Sequence, residues 1–264
     1  MRMGHVFSHD DALAWDAGMR KPCNQITLDL ERRLTFEMLR PARLEAVLDI
    51  GCGTGDTLVA FLERGIDASG IDPSEPMLRI ARERVGHRAS LHQGFAEDLP
   101  FDDNTFHYSS LIKTLEFVED PRRVLEEAFR VTRYRVFVGV LNPHSLKGSG
   151  LRVKRIFTRT LYSHARLFSL WDLNRMVREV AGNLPLCWKT IGQLPAGRIT
   201  RRMEASELVQ RCPFGAFTGM TVTLLPRFRT RPLELIDTGM MGHHTAPAPG
   251  GFGTGWIGTT RREP

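Results

Sequence analysis

Between residues 45 and 142 the chain alternates short apolar runs with amphipathic stretches of helical spacing. Ala46-Val47-Leu48-Asp49-Ile50 predicts a strand, closed by Gly51-Cys52-Gly53-Thr54-Gly55. Residues 56–64 read as a helix ending at Gly65. A second strand is expected at 67–72 and a helix at 75–85, with Met77, Leu78, Ala81 and Val85 on one side. Further strands are expected at 89–93, 106–115 and 135–141, with a helix over 121–132. Such alternation predicts a parallel sheet with helices on both faces.

The flanks read differently. Residues 1–43 are helical and mixed, with Leu28, Leu30, Leu34, Met38 and Leu39 forming an apolar stripe before Pro41 stops the helix. After Asn142 an irregular insert runs over residues 143–168. Ser169-x-x-Asp172 then opens a helix as a capping box, with Leu170, Leu173, Met176, Val177 and Val180 at helical spacing. Residues 186–191 and 217–225 are strand-like with no convincing helix between them, which suggests an antiparallel pair at one sheet edge. The Gly-, Pro- and Thr-rich tail reads as disordered. The expected organisation is a helical segment (1–43), an α/β domain (44–236) carrying the insert, and the tail (237–264).

Composition narrows the classes. The 264 residues suffice for one α/β domain with a full core. No apolar run approaches the roughly 18 residues needed to span a bilayer, and residues 1–16 lack a signal pattern, so a cytoplasmic protein is expected. Cys23, Cys52, Cys187 and Cys212 are far apart without a C-x-x-C pair, which argues against a zinc knuckle or redox dithiol and for reduced thiols in or near the core. His243-His244 lies in the tail and reads as unstructured, so no metal site is expected. The net charge of +6 is uneven: six basic residues and no acid lie between Pro143 and Trp171.

A strand, a glycine-rich turn and a helix start together make a nucleotide site. The dinucleotide fingerprint G-x-G-x-x-G/A, begun at Gly51, would end on Asp56. Asp49 and Asp56 beside the turn would repel a pyrophosphate. S-adenosylmethionine has no phosphate, and its ammonium suits an acid at the strand end. Asp72, ending the second strand, is placed to accept both hydroxyls of a ribose.

These residues carry a family resemblance. Val47-Leu48-Asp49-Ile50-Gly51-Cys52-Gly53-Thr54-Gly55 resembles motif I of class I S-adenosylmethionine-dependent methyltransferases, and Gly70-Ile71-Asp72-Pro73-Ser74-Glu75-Pro76-Met77-Leu78 their second motif. Residues 94–106 resemble the loop beside adenine in the type 11 branch, which includes ubiquinone and menaquinone biosynthesis methyltransferases. Leu115-Glu116-Phe117-Val118-Glu119-Asp120-Pro121 resembles the segment after their fourth strand. The resemblance implies a Rossmann-like, seven-stranded, mostly parallel sheet with helices on both faces and an antiparallel last strand. It implies S-adenosylmethionine as cofactor, with Asp49, Gly51, Gly53 and Gly55 holding the methionine end and Asp72 the ribose. Ala96 and Glu97 would lie near adenine, and Leu115 near the sulfonium. The chain departs from the pattern at Phe95 and His107, where acids are usual, and at Arg133-Tyr134-Arg135, where a Pro-Gly-Gly turn is usual.

Ligands of such sheets sit beyond the carboxyl ends of the strands. Candidates for an acceptor pocket are therefore Glu116 and Phe117, Asn142 and His144, and the segment from Trp15 to Arg20. Glu116 and His144 are the candidate catalytic groups. If residues 151–163 are helical, a basic face is set against Val153, Ile156, Phe157 and Leu161, as in a lid or an element lying on an anionic membrane. The expected partner is a small molecule, anionic or lipid-like, with peripheral membrane contact as a further option. No basic platform interleaved with aromatics supports nucleic-acid binding. Methylation of RNA or protein through the insert, a non-catalytic binding module, and an NAD-dependent oxidoreductase are the alternatives. The last is disfavoured by Asp49 and Asp56.

Overall fold

The computed structural model describes residues 4–145, 165–193 and 206–224. Most of the basic insert and all of the tail, with His243 and His244, lie outside the described residues. In chain order the elements are α1 (His9–Met19), α2 (Pro22–Leu39), β1 (Ala46–Ile50), α3 (Asp56–Leu62), β2 (Asp67–Asp72), α4 (Glu75–Val85), β3 (Ser90–Gln93) and β4 (Phe106–Ile112). They continue with α5 (Pro121–Val131), β5 (Thr132–Leu141), α6 (Leu170–Ala181), β6 (Leu186–Ile191), a one-turn α7 (Glu207–Gln210) and β7 (Phe217–Thr223).

The seven strands lie in the order β3-β2-β1-β4-β5-β7-β6. β1 to β5 pair in parallel, while β7 runs antiparallel to both β5 and β6. The expected antiparallel pair is therefore present, with β7 inserted between β5 and β6. Alternation along β5 divides the core between the two faces of the sheet. Val136, Val138 and Val140 face α5 and α6, through Val124, Leu125, Leu173 and Val177. Phe137 joins the other layer with Leu34 and Leu39 of α2 and Phe61 of α3.

Local chemistry explains the ends of the elements. Ser169 and Asp172 form the capping box: Ser169 Oγ donates to Asp172 Oδ2 at 2.6 Å, and the Asp172 N–H donates back to Ser169 Oγ at 3.1 Å. β4 is shorter than its apolar run suggests. The chain leaves the sheet at Lys113, which takes a left-handed φ of 57° while its N–H donates to Gly139 O. Where a Pro-Gly-Gly turn was absent, α5 passes directly into β5, and Tyr134 packs against His107 and Tyr108. His107 also accepts the Ala46 N–H at 3.0 Å, so it secures the start of β1. Among the described thiols Cys52 is buried, but Cys187 is exposed on the edge strand β6, contrary to the expectation of core placement.

Candidate functional site

β1 ends in a turn with three left-handed glycines, Gly51, Gly53 and Gly55, at φ 73°, 52° and 79°. The Gly51 and Cys52 N–H groups both donate to Ile71 O of β2, which pins the turn against the sheet. Each glycine is required for a different reason. A Cβ on Gly51 would stand 2.5–2.6 Å from the Thr114 side chain. One on Gly55 would press on Ala81 at 3.1 Å, so Gly55 permits α3 to pack on α4 and does not line the cleft. One on Gly53 would meet nothing within 4 Å, because that position borders open space.

Two buried carboxylates flank the turn. Asp49 accepts from Ser110 Oγ at 2.7 Å. Burial pushes its carboxyl up to about 7, the Ser110 bond opposes that, and the charge of Asp72 adds to it. Asp72 accepts the Gly53 N–H on Oδ2 and the Ser74 N–H on Oδ1, both at 2.9 Å. It is likewise pushed up by burial, to about 6, against the two backbone bonds. The same burial holds the Cys52 thiol well above its ordinary range.

Asp56 differs from the expectation of a bare repelling charge. Its carboxylate pairs with Arg84 Nη1 at 2.9 Å and lies 3.6 Å from Arg32. Two guanidiniums neutralise it, so the case against a pyrophosphate rests on Asp49 alone.

These groups open on one cleft of about 1160 Å³, counting its mouth. Asp49, Gly51, Gly53, Asp72, Ala96 and Glu97 all line it. Phe95, exposed on one side, lines the same wall in place of the usual acid, while Glu97 Oε1 accepts the Glu119 N–H at 3.0 Å. Residues 4–7 and α1 close over the opposite wall. The His5 N–H donates to Phe117 O at 2.9 Å, and Ser74 Oγ donates to Phe7 O at 2.7 Å. Phe7, Trp15 and Phe117 pack edge to face, with centroids 5.0–6.4 Å apart. Lys113 and Glu31 of α2 form a 2.8 Å ion pair in this wall, with side chains only 9% and 5% exposed.

Besides Gly55, four sequence-derived assignments do not reach the cleft. Leu115 is fully buried in the core beside α5, and Ile112, Lys113 and Thr114 line the cleft at the end of β4 instead. Glu116 is 1% exposed and turned to the end of β5, where Oε1 accepts the Leu141 N–H at 2.7 Å. Burial pushes its carboxyl up to about 7. His144 is exposed and stands 6.0 Å from Trp171, ring to ring. Asn142 is buried and bonded to Pro213 O. Of the proposed acceptor wall, Trp15, Met19 and Phe117 do line the cleft. Sequence reasoning missed Glu31 and Lys113. The available signal was a glutamate inside the apolar stripe of α2, three residues from both Leu28 and Leu34.

The arrangement suits S-adenosylmethionine: a dry carboxylate at the strand end for an ammonium, a turn whose glycines leave room for a ligand, and Asp72 beyond it for a ribose. Comparison with known proteins agrees. A methyltransferase-domain family matches residues 47–134, the stretch holding the turn, Asp72 and residues 94–106. Residues 47–134 are thus similar to a methyltransferase domain, and the fold is that of solved S-adenosylmethionine-dependent methyltransferases. Over 109 residues the chain is 37% identical to a demethylmenaquinone methyltransferase of Listeria welshimeri, a stretch covering 39% of this chain and 46% of that one. The chain thus spans less than half the length of that relative. A crystal structure described as a possible histamine N-methyltransferase of Thermotoga maritima shares the fold at 23% identity and a TM-score of 0.64, over 83% of this chain and 99% of that one. The [4+2]-cyclase SpnF is also similar to it, at 18% identity and a TM-score of 0.56, over 84% and 86% of the two chains. The methyltransferase fold therefore does not by itself decide the reaction. Among the described residues no helix is long and apolar enough to cross a membrane.

Proposed function

We propose that the protein transfers a methyl group from S-adenosylmethionine to a small-molecule acceptor. The observation that carries this reading is the joining, in one cleft, of the Asp49–turn–Asp72 constellation with an enclosed aromatic wall. Bound S-adenosylmethionine supplies an electrophilic methyl group on a sulfonium. Asp49 would face the methionine ammonium, the backbone of Gly51 and Gly53 would border the methionine end, and Asp72 would accept from the ribose. Phe95, Ala96 and Glu97 would flank the adenine. In-line displacement requires the acceptor to be held about 3 Å from the methyl, along the sulfur–methyl axis. The wall of Phe7, Trp15 and Phe117 is the surface that would hold it and exclude water.

A small acceptor is favoured over RNA or protein because residues 4–19 cover that wall, leaving a cleft and not an open platform. The test is calorimetry with S-adenosylmethionine, S-adenosylhomocysteine and NAD, followed by transfer of a labelled methyl group to a panel of metabolites and lipids. Binding of both sulfur compounds and not NAD is expected. Binding of NAD alone, or label reaching only RNA or protein, would overturn the reading.

A further inference from the structure

We propose that the end of the sheet where β5 and β6 finish and β7 begins is a membrane-docking face, with Trp171, Phe214 and Leu208 entering the headgroup region of an anionic lipid bilayer. Docking of this kind does not depend on the methyl-transfer reading above.

Strand register defines this end. Leu141 of β5 and Ile191 of β6 both pair with Phe217, the first residue of β7. Because β5 runs parallel to β4 and β1, it is also the end of the sheet at which the cleft opens. Trp171 at the start of α6 is 55% exposed, Phe214 just before β7 is 54% exposed, and Leu208 of α7 is 84% exposed. α7 is tied to the end of β6 by a 2.7 Å bond from Gln193 Nε2 to Val209 O. The Trp171 ring lies 6.5 Å from that of Phe214 and 6.0 Å from that of the exposed His144. Single exposed apolar residues are ordinary, whereas adjoining ones mark interaction sites.

The exposure is built into the fold. The capping box fixes the first turn of α6, and Leu170 and Leu173 are turned into the core, so Trp171 between them faces out. Phe214 is held between two anchored neighbours. The Pro213 carbonyl accepts from Asn142 Nδ2 at 2.7 Å, and a Cβ on Gly215 would stand 2.7 Å from Ile191 O. Neither residue can turn inward without moving an anchored neighbour.

Charge selects the partner. Residues 143–175 hold seven basic residues and one acid, and residues 194–211 hold four and two, together +8 against +6 for the whole chain. Asp172 and Glu207 lie 3.0 and 3.9 Å from Arg175 and Arg211 and offset them, so the excess comes from Arg166 and from the stretches 146–164 and 194–205. Those two stretches lie outside the described residues, but both leave the fold at this end, after Ser145 and after Gln193. Cations gathered around exposed aromatics match an anionic lipid surface, where tryptophan lodges at headgroup level and the cations meet lipid phosphates. Nucleic acid would answer the charge alone. A stacking platform offers ring faces to successive bases, whereas these rings are tilted by 59° and 74° to one another and Leu208 has no face to stack.

The test uses the full chain with vesicles of phosphatidylcholine alone or of equal parts phosphatidylcholine and phosphatidylglycerol. Sedimentation with vesicles reads affinity, and quenching of tryptophan fluorescence by brominated-chain lipid reads insertion. Wild type is expected to bind the anionic vesicles about tenfold or more tightly than the neutral ones, and less tightly as salt rises. Trp171→Phe should lose most of the quenching with little change in affinity. Trp171→Ser/Phe214→Ser should lose about tenfold in vesicle affinity while keeping the wild-type circular dichroism and urea midpoint. Leu208→Glu, at a side chain already open to solvent, should weaken vesicle binding several-fold and decides the matter if the double variant does not fold. No preference for anionic vesicles, or vesicle binding that survives these substitutions, would overturn the proposal. So would a wild type that ignores vesicles but binds poly-uridylate, or pairs with a second copy, through Trp171 and Phe214. Failure to bind S-adenosylhomocysteine would strike the methyl-transfer reading and leave the vesicle result standing.

Discussion

Ser110 Oγ donates a 2.7 Å hydrogen bond to Asp49 Oδ1, and the two residues stand in register on the adjacent strands β1 and β4. That bond is the main stabiliser of a carboxylate which burial otherwise drives toward protonation, with its pKa near 7. A folded-state value above the ordinary one means that the folded protein binds the extra proton. Stability of the free protein should therefore fall as pH rises from about 4 to 7, by a few kcal/mol at most for this group. Cofactor affinity should run the other way, falling as pH drops below about 7, because a neutral Asp49 has no charge for the ammonium. Asp49→Asn should reduce the slope of both profiles, leaving the contributions of Asp72 and Glu116 to stability and of Asp72 to affinity, and Ser110→Ala should move the affinity midpoint upward. Denaturant melts and calorimetry at matched pH values check the signs; an affinity that rises on acidification would refute the assignment.

Gly51 and Gly53 share a backbone conformation but not an environment. Gly51→Ala adds to the left-handed strain, about 1–2 kcal/mol, a collision with Thr114. It should destabilise the fold strongly, and Thr114→Ala should recover part of the loss. Gly53→Ala should lose little beyond the backbone strain, because its Cβ enters open space. That space is where a ligand would approach, so cofactor affinity should still fall by about tenfold or more. Equal stability losses at the two positions, by urea denaturation, would show that they are not distinguished in this way.

The sheet was legible because apolar runs such as those of β1 and the second half of β5 alternate with amphipathic helices, and the more polar β2 falls between two of these helices. The turn was legible because strand, glycines and Asp72 are local in sequence. The acceptor side was not. Leu115 and Glu116 continue the apolar run of β4 in sequence, yet the left-handed residue Lys113 ends the strand early, and a single positive φ on a lysine leaves no composition signal. The Glu31–Lys113 pair joins residues 82 positions apart, and only packing of α2 on the sheet brings them together. Asp56 was legible as a carboxylate, but its two guanidinium partners come from α2 and α4 and could not be read from the turn.

Glu116 separates a catalytic from a structural reading. Its carboxyl is pushed up to about 7 by burial, and Oε1 holds the Leu141 amide at the end of β5. As with Asp49, a raised value means that stability is fully present below the ordinary range of a glutamate and is lost as pH rises through 7. Glu116→Gln keeps the acceptor oxygen and removes the ionisation. The variant should be the more stable protein above about pH 7, by on the order of a few kcal/mol, and nearly equal to wild type at about pH 4. S-adenosylhomocysteine affinity should be unchanged. A variant that folds with wild-type stability at alkaline pH but has lost methyl transfer would return Glu116 to the catalytic candidates.

Arg84 links the covering segment to the glycine turn. Its guanidinium pairs with Asp16 of α1 and with Asp56 at the start of α3, and Nη1 also donates to Thr54 O at 3.0 Å. Asp16 otherwise pairs with the exposed Arg20, and Asp56 with Arg32 at 3.6 Å, both weaker anchors. Arg84→Met keeps the apolar stem and removes the bridge. Amide exchange across residues 8–19 should then accelerate, while the β1–β5 sheet keeps its protection. Because α1 lies over the cleft, cofactor dissociation should quicken by several-fold with a smaller change in association. Stopped-flow release of S-adenosylhomocysteine and hydrogen exchange followed by mass spectrometry read the two effects separately. Faster exchange in α1 with unchanged release would mean that α1 does not hold the cofactor in place.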